Sequence, residues 1–233
     1  MPPTPFQDRL VIAGATGTLG NEVLRLLVGG QRWREVHVLA REAITTGLRG
    51  VHIHAVAGDD PQQWAPLAAG AAVVMFDPPR MFHERERALW TPRPEQLPVL
   101  AQWLRRGGVS TLAVVMPHAS MRLPEALKRG LANLDEHAVA RLGFDRVLIL
   151  RNARKSAAAA ASHPLASLAH WMLSVGRYMI PSSEQPVRAV KVAQFVAHAL
   201  DLAPPGIHVA APETVWQAAQ GDVRAGVARW LAP

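Results

Sequence analysis

Three glycines near the start of the chain have the spacing of a turn that holds phosphate. Gly14, Gly17 and Gly20 follow the apolar residues 10–13, and apolar side chains then recur every three or four residues up to Leu27. This pattern predicts a short buried strand that turns directly into a helix. Glycine permits a tight turn, and the first N–H groups of the helix present its positive dipole end to an anion. We therefore interpret the turn as a dinucleotide-phosphate site; the alternative is a strand–helix turn whose glycines serve packing alone.

A positive charge follows the second apolar segment. Residues 35–40 predict a strand, and Arg41 comes directly after it. In dinucleotide-binding folds the residue at this place faces the adenosine ribose, where an acidic side chain marks NAD and an arginine accommodates the 2′-phosphate of NADP. Arg41 therefore favours NADP(H) over NAD. The alternative is a solvent-exposed arginine at the end of a strand.

An acidic pair ends the third predicted strand, residues 51–56. Asp59 or Asp60 could accept a hydrogen bond from the amino group of an adenine. Either side chain could instead cap a helix that begins near Pro61, and the two roles are compatible.

Two histidines lie on one face of the same strand. His52 and His54 are two residues apart, a spacing that could hold a metal ion, but the nearby sequence offers no third ligand. We expect a structural or surface role for both and no metal site.

A long connection follows the fourth predicted strand, residues 71–76. Residues 77–94 are rich in proline and arginine and leave the carboxyl end of a central strand, where open α/β sheets bind ligands. Loops of this length in compact domains are often functional. We interpret the connection as a lid or an anion-contacting segment; the alternative is a short surface helix with solvated charges.

Strands and helices alternate through the rest of the chain. Further strands are predicted at 109–116, 145–150 and 206–210, and helices at 96–106, 124–142, 165–178, 187–202 and 213–230. This alternation predicts an α/β fold: a Rossmann-like, doubly wound parallel sheet with helices on both faces. We expect a single domain over residues 1–233, in which residues from about 152 onward form a smaller substrate-side part.

Composition excludes several classes of protein. Hydrophobic residues make up 49% of the chain, which indicates a globular protein, and the absence of cysteine excludes disulfides and thiol nucleophiles. The net charge is +7, but no basic run alternates with aromatic residues, so we do not expect nucleic-acid binding. Residues 1–6 lack the features of a signal peptide, and no apolar run approaches the roughly 18 residues of a membrane span. We expect a soluble, cytoplasmic protein.

In four segments, the chain resembles an atypical short-chain dehydrogenase/reductase of the NAD(P)H-binding branch that contains NmrA-like and epimerase-like proteins. They are residues 14–20, 39–41, 58–59 and 136–151, and the resemblance extends over about residues 8 to 210. It implies a Rossmann fold with the substrate above the carboxyl ends of the strands. The implied NADP(H) contacts come from Gly14, Thr16, Gly17, Thr18, Leu19, Gly20, Arg41 and Asp59, the last of these at the adenine.

The catalytic residues of that family have no counterparts at the matching positions of this chain. Its reductases use Tyr-x-x-x-Lys after the fifth strand, where the lysine lowers the pKa of the tyrosine, together with a serine that steadies the substrate oxygen. The single tyrosine here is Tyr178, and Ser182 stands four residues on. At the family's spacing Lys128 falls near the tyrosine position and Ala132 near the lysine position.

Three residues are candidates to replace the missing set. His118 or Ser120 could stand beside a substrate oxygen, and Lys128 could supply a positive charge or a proton. Each also has a structural alternative: His118 as a loop histidine at the sheet edge, and Lys128 on a solvated helix face beside Arg129.

The sequence leaves two main functions open. The first is an NADP(H)-dependent oxidoreductase or isomerase-like enzyme that acts on a small molecule with a rebuilt proton donor. The second is a non-catalytic NADP(H)-binding redox sensor or scaffold that regulates a protein partner or its own oligomer. A third alternative is a fold that has lost the cofactor.

Overall fold

The computed structural model describes residues 6–45, 47–80, 83–117, 139, 141–152 and 187–232. The candidate catalytic residues His118, Ser120 and Lys128 lie outside these ranges, as do Tyr178, the predicted helix 165–178 and most of the predicted helix 124–142.

Within the described ranges, seven parallel strands form one sheet in the order β3-β2-β1-β4-β5-β6-β7. The strands are β1 Arg9–Ala13, β2 Glu35–Ala40, β3 Val51–Ala55, β4 Ala71–Met75, β5 Thr111–Pro117, β6 Arg146–Asn152 and β7 Gly206–Ala210. The order reverses between β1 and β4, and the crevice above their carboxyl ends is the ligand-binding place of open α/β sheets. The predicted α/β, doubly wound parallel sheet is confirmed.

Helices cover this sheet on two sides. In the described part of the chain they are α1 Gly17–Gly29, α2 Glu84–Arg87, α3 Leu97–Arg106, α4 Ala189–Leu202, α5 Pro212–Ala219 and α6 Val223–Leu231, with 3₁₀ turns at Pro61–Gln63 and Pro94–Gln96. None of these helices combines the length and apolar character that crossing a membrane requires.

Alternate side chains of the central strands enter two separate apolar layers. In β1, Leu10 and Ile12 pack into the layer that contains buried residues of α1 and α4, whereas Val11 and Ala13 pack into the layer that contains those of α3. Successive side chains of a strand point to opposite faces, so a strand covered on both sides must be apolar throughout. This explains why β4 is an unbroken apolar run, Ala71–Met75, that is buried at every position.

Three tryptophans form the centre of the second layer. Trp64 packs edge-on against Trp90 and Trp103, with ring centroids 4.8 and 5.3 Å apart. The three indole N–H groups donate to the Ala57 carbonyl, the Asp59 carboxylate and the Ala65 carbonyl, respectively. Trp90 belongs to the long connection after β4 and is fully buried, so it anchors that connection in the core.

The helix predicted to begin near Pro61 is a single 3₁₀ turn, Pro61–Gln63. Asp60 caps the turn, since its carboxylate accepts from the backbone N–H of Gln62 at 3.0 Å. Trp64 then adopts an extended conformation. Pro66 disfavours helical geometry at the residue before it, which prevents the turn from continuing as an α-helix.

The closing helix predicted over 213–230 is two helices, α5 and α6. Asp222 separates them: its carboxylate accepts from the backbone N–H groups of Arg224 and Ala225 at 2.9 and 3.4 Å and starts α6. A side-chain oxygen that satisfies the first N–H groups of a new helix favours a break at that place.

We expect Gly20→Ala to destabilise the protein by about 2 kcal/mol, because an added Cβ meets backbone that cannot move aside. It would lie 2.6 Å from the carbonyl carbon of Ala15 and 2.7 Å from the oxygen of Gly14. Gly29→Ala is the matched control in the same helix, where an added Cβ meets nothing within 4 Å. Urea unfolding should place the control within about 1 kcal/mol of the wild type; equal stability of the two variants would contradict the close approach.

Candidate functional site

The glycine turn lies at the reversal point of the sheet. Gly14 and Gly17 have φ values of +77° and +68°, in the left-handed region that favours glycine. A Cβ at Gly14 would lie 2.0 Å from the carbonyl oxygen of Met75, at the end of β4. The turn therefore packs directly on β4 and brings the N-terminus of α1 to the crevice between β1 and β4.

A carboxylate of the chain itself lies in front of this helix N-terminus. The backbone N–H of Gly17 donates to Oε2 of Glu86 at 3.0 Å, and Nδ2 of Asn21, one turn further along α1, donates to Oε1 at 2.7 Å. Glu86 is only 5% exposed. A negative charge is stabilised at a helix N-terminus by the unpaired N–H groups and the helix dipole. The turn thus holds an anion, and residue 86 supplies it.

Arg80 completes the shell around this carboxylate. Its backbone N–H donates to Oε2 of Glu86 at 2.9 Å, and its Nε donates to Oε1 at 2.7 Å. The Nη2 group donates to Oε1 as well. Together with Gly17 and Asn21, these donors satisfy both oxygens, which a buried carboxylate requires.

These contacts determine the protonation of Glu86. Burial by itself raises the pKa of the carboxyl, but the hydrogen bonds from the Arg80 guanidinium, from the backbone N–H groups of Arg80 and Gly17 and from the Asn21 amide outweigh burial. They lower the pKa of Glu86 from its ordinary 4.5 to about 2. The side chain is therefore a fixed negative charge at neutral pH.

Thr16 connects the glycine turn to both ends of the long connection. Its hydroxyl donates to the carbonyl of Asp77, and its Oγ1 lies 3.0 Å from Oγ1 of Thr91. Because a hydroxyl has one proton, the Thr91 hydroxyl must be the donor in the second contact. The completely buried Thr16 is thus engaged by the chain on two sides.

The connection crosses the carboxyl ends of β1 and β2. Backbone N–H groups of Gly14 and Arg41 donate to the carbonyls of Trp90 and Ala88 at 3.1 and 2.7 Å, and the Trp90 N–H donates to the Leu39 carbonyl at 3.0 Å. We call Arg80 and residues 83–90 the strap. It lies across the carboxyl ends of β1 and β2 and against the N-terminus of α1.

The two residues predicted at the adenosine end of a ligand lie against each other. Nη1 of Arg41 donates to Oδ1 of Asp59 at 2.9 Å, and the indole N–H of Trp90 donates to the same oxygen at 3.0 Å. The Arg41 and Asp59 side chains are 48% and 45% exposed. An ion pair this exposed contributes at most about 1 kcal/mol to stability, so it is readily exchanged for another partner.

The structure places the remaining predicted residues as follows. Thr18 is exposed at the start of α1, whereas Leu19 and Gly20 are buried. His52 stacks on His37, with ring centroids 5.2 Å apart, and His54 lies near Trp103. No group of three or more metal-binding side chains comes together among the residues that the structure describes.

Sequence reasoning missed Glu86, Arg80 and Asn21. Glu86 belongs to the alternating sequence Glu84-Arg85-Glu86-Arg87, which is typical of a solvated surface segment. The one available signal was the position of the connection, which leaves the carboxyl end of a central strand.

The similarity of this chain to known proteins lies in its fold. No family model matches the chain, and no curated protein sequence matches it. Among solved structures, the chain is similar to a nucleoside-diphosphate-sugar epimerase from Staphylococcus aureus (12% identity, 87% of this chain and 70% of that chain covered, TM-score 0.51).

Two further solved structures share the fold. They are the triphenylmethane reductase of Citrobacter sp. complexed with NADP(H) (14% identity, 87% and 69% covered, TM-score 0.54) and a Rossmann-fold NAD(P)-binding family protein from Shigella flexneri (16% identity, 83% and 86% covered, TM-score 0.50). At these identities the likeness shows the fold.

We expect Glu86→Gln to lower the free energy of unfolding at pH 7 by about 2 kcal/mol, because an amide group would turn an N–H toward donors that need an acceptor.

The wild type should also lose stability as the pH falls. The folded-state pKa of about 2 lies below the ordinary 4.5, so the contribution of ionised Glu86 is present above pH 4.5 and disappears as the pH falls toward 2. A pKa difference of this size between the folded and unfolded states corresponds to a contribution of roughly 3 kcal/mol to the free energy of unfolding.

Denaturant unfolding at several pH values between 2 and 7 would measure both effects. Glu84→Gln is the matched control, since it makes the same charge change at an exposed position of the same helix. A Glu86→Gln variant whose pH profile coincides with that of the control would contradict the role assigned to the carboxylate.

Proposed function

We propose that this protein binds a nicotinamide dinucleotide at the Gly14–Gly20 turn and prefers NADP(H). The observation that carries the proposal is the anion held by the Gly17 N–H at the N-terminus of α1. That N-terminus opens on the crevice where the strand order reverses, which is where a pyrophosphate lies in dinucleotide-binding sheets. The donor set fits the group, because the N–H groups and the arginine that now hold a carboxylate would also suit a phosphate.

The position of Arg41 supports the preference for NADP(H). Its half-exposed guanidinium lies directly after β2 and has only an exposed carboxylate as its side-chain partner among the described residues. A ribose 2′-phosphate would offer the guanidinium two or three oxygens in place of one. The fold is also shared with a reductase whose structure contains NADP(H).

For the reaction, we propose an oxidoreductase or isomerase-like activity on a small molecule. The bound nicotinamide would supply the hydride chemistry. The glycine turn and Arg41 would bind and orient the dinucleotide with its nicotinamide end toward the carboxyl ends of β4 and β5. His118, Ser120 and Lys128, which follow β5 in the chain, are the groups we propose to hold the substrate oxygen or move a proton there.

A second candidate function is favoured by the carboxylate of Glu86 at the N-terminus of α1 and by the absence of a Tyr-x-x-x-Lys motif from the sequence. In this alternative the protein is a non-catalytic redox sensor or scaffold. A ligand can shift a protein between states only through different affinities for those states. The sensor must therefore distinguish NADP⁺ from NADPH and pass the difference to a partner protein or to its own association.

We expect calorimetric titration to show tighter binding of NADPH than of NADH, and Arg41→Asp to weaken NADPH binding at least tenfold. A lost charge-assisted contact corresponds to roughly 1.5–3 kcal/mol. Arg34→Asp is the matched control, because Arg34 is an exposed arginine just before β2, at its opposite end. Equal weakening in both variants would mean that Arg41 acts through overall charge rather than by contact.

The two candidate functions predict different results in one assay series. An oxidoreductase should oxidise NADPH, followed by its absorbance, with at least one member of a panel of carbonyl compounds and quinones. A sensor should leave NADPH intact, bind NADP⁺ and NADPH with different affinities, and change its oligomeric state between them in light scattering. Turnover without any change in association would exclude the sensor, and the reverse result would exclude the enzyme.

A further inference from the structure

We propose that Glu86 is an internal anion that occupies the phosphate position of the crevice, so that the strap is autoinhibitory and its helix must withdraw before a dinucleotide binds. This inference rests on the proposed function, because it concerns the regulation of the same site. It goes beyond that proposal by assigning the closed state to one side chain and by predicting which part of the strap moves.

The first argument is that the carboxylate uses the donors that a pyrophosphate needs. Glu86 takes the N–H of Gly17 at 3.0 Å and the amide of Asn21 at 2.7 Å, both on the first turns of α1. Phosphate binding at a helix N-terminus depends on backbone N–H groups such as that of Gly17 and on the helix dipole. Two anions cannot share them in a buried site, since neither would be fully paired and each would repel the other.

The second argument concerns how two parts of the strap, α2 and Trp90, are held. In α2, Glu86 is the one buried residue, while Glu84, Arg85 and Arg87 are exposed. Trp90, in contrast, is fully buried against Trp64 and bonded through its backbone to Gly14 and Leu39. Local opening occurs where few apolar contacts are lost. The α2 segment is therefore the moving part, and residues 88–90 are the fixed hinge.

The third argument is that Arg80 can change partners. Its side chain is 43% exposed and places Nε and Nη2 on Oε1 of Glu86. When the carboxylate withdraws, this guanidinium remains beside the N-terminus of α1 with its donors unpaired. A phosphate of the ligand suits the same donors. The exchange replaces one anion by another on the same guanidinium, so opening does not leave a bare positive charge in the crevice.

The consequence is a measurable penalty on affinity. A ligand that binds only the open state has its apparent affinity reduced by the fraction of molecules that are open. Removal of the Glu86 charge should raise that fraction and tighten binding without any new contact to the ligand. This is the opposite of what a phosphate-site mutation normally does.

The test is calorimetric titration of the full chain with NADPH and, separately, with inorganic pyrophosphate. We expect Glu86→Gln to bind both at least tenfold more tightly than the wild type. Glu84→Gln makes the same charge change at an exposed position of α2 and should bind within twofold of the wild type. Equal affinities of the wild type and the two variants for NADPH would overturn the inference and leave the proposed function standing.

Hydrogen exchange of the wild type provides a second measurement that does not depend on the stability of a variant. Saturating NADPH should speed the exchange of amides in residues 83–87 and slow it in the Gly14–Gly20 turn. Slower or unchanged exchange in both segments, with NADPH bound, would overturn the inference alone. If neither the wild type nor Glu86→Gln binds any dinucleotide, the proposed function fails, and the inference fails with it.

Discussion

The contact between the glycine turn and the connection after β4 depends on one buried carboxylate. Glu86 is enclosed by donors from Gly17, Asn21 and Arg80, and a charge this buried is tolerated only when its oxygens are fully hydrogen-bonded. These bonds fix the distance between the first turn of α1 and the connection after β4. They also hold α2 in its place, since α2 has no other buried residue.

Two kinds of anchor hold the strap, and they differ in whether a ligand can replace them. The burial of Trp90 among the tryptophans of the second layer is an apolar interaction that no polar ligand reproduces. The ion pair of Glu86 with Arg80 and its hydrogen bonds from Gly17 and Asn21 can be replaced, because a phosphate offers similar acceptors to the same donors. The strap is therefore held by an apolar anchor at Trp90, which a ligand cannot replace, and by the carboxylate of Glu86, which a phosphate could replace.

The parts of this arrangement that depend on local sequence were predictable, and those that depend on distant contacts were not. The strand, glycine turn and helix of residues 9–29 follow from apolar spacing and from two glycines with positive φ, all within 21 residues. Glu86 finds its partner Gly17 at a sequence distance of 69 residues. A four-residue helix is too short for periodicity to distinguish its buried side. The prediction of one helix over 213–230 is wrong for a local reason, because Asp222 caps a new helix.

Arg41 and Asp59 show how two side chains that we propose as ligand contacts pair with each other. The sequence predicts two separate contacts, to a ribose phosphate and to an adenine, yet in the structure the two side chains pair with each other at 2.9 Å. Opposite charges that lie close together at the carboxyl end of the sheet form such a pair at little cost. This exposed pair is screened by solvent, whereas Glu86 is buried, so the two exchanges differ in difficulty. In the proposed binding of a dinucleotide, the exchange of partners at Arg41 and Asp59 would therefore cost less free energy than the exchange at Glu86.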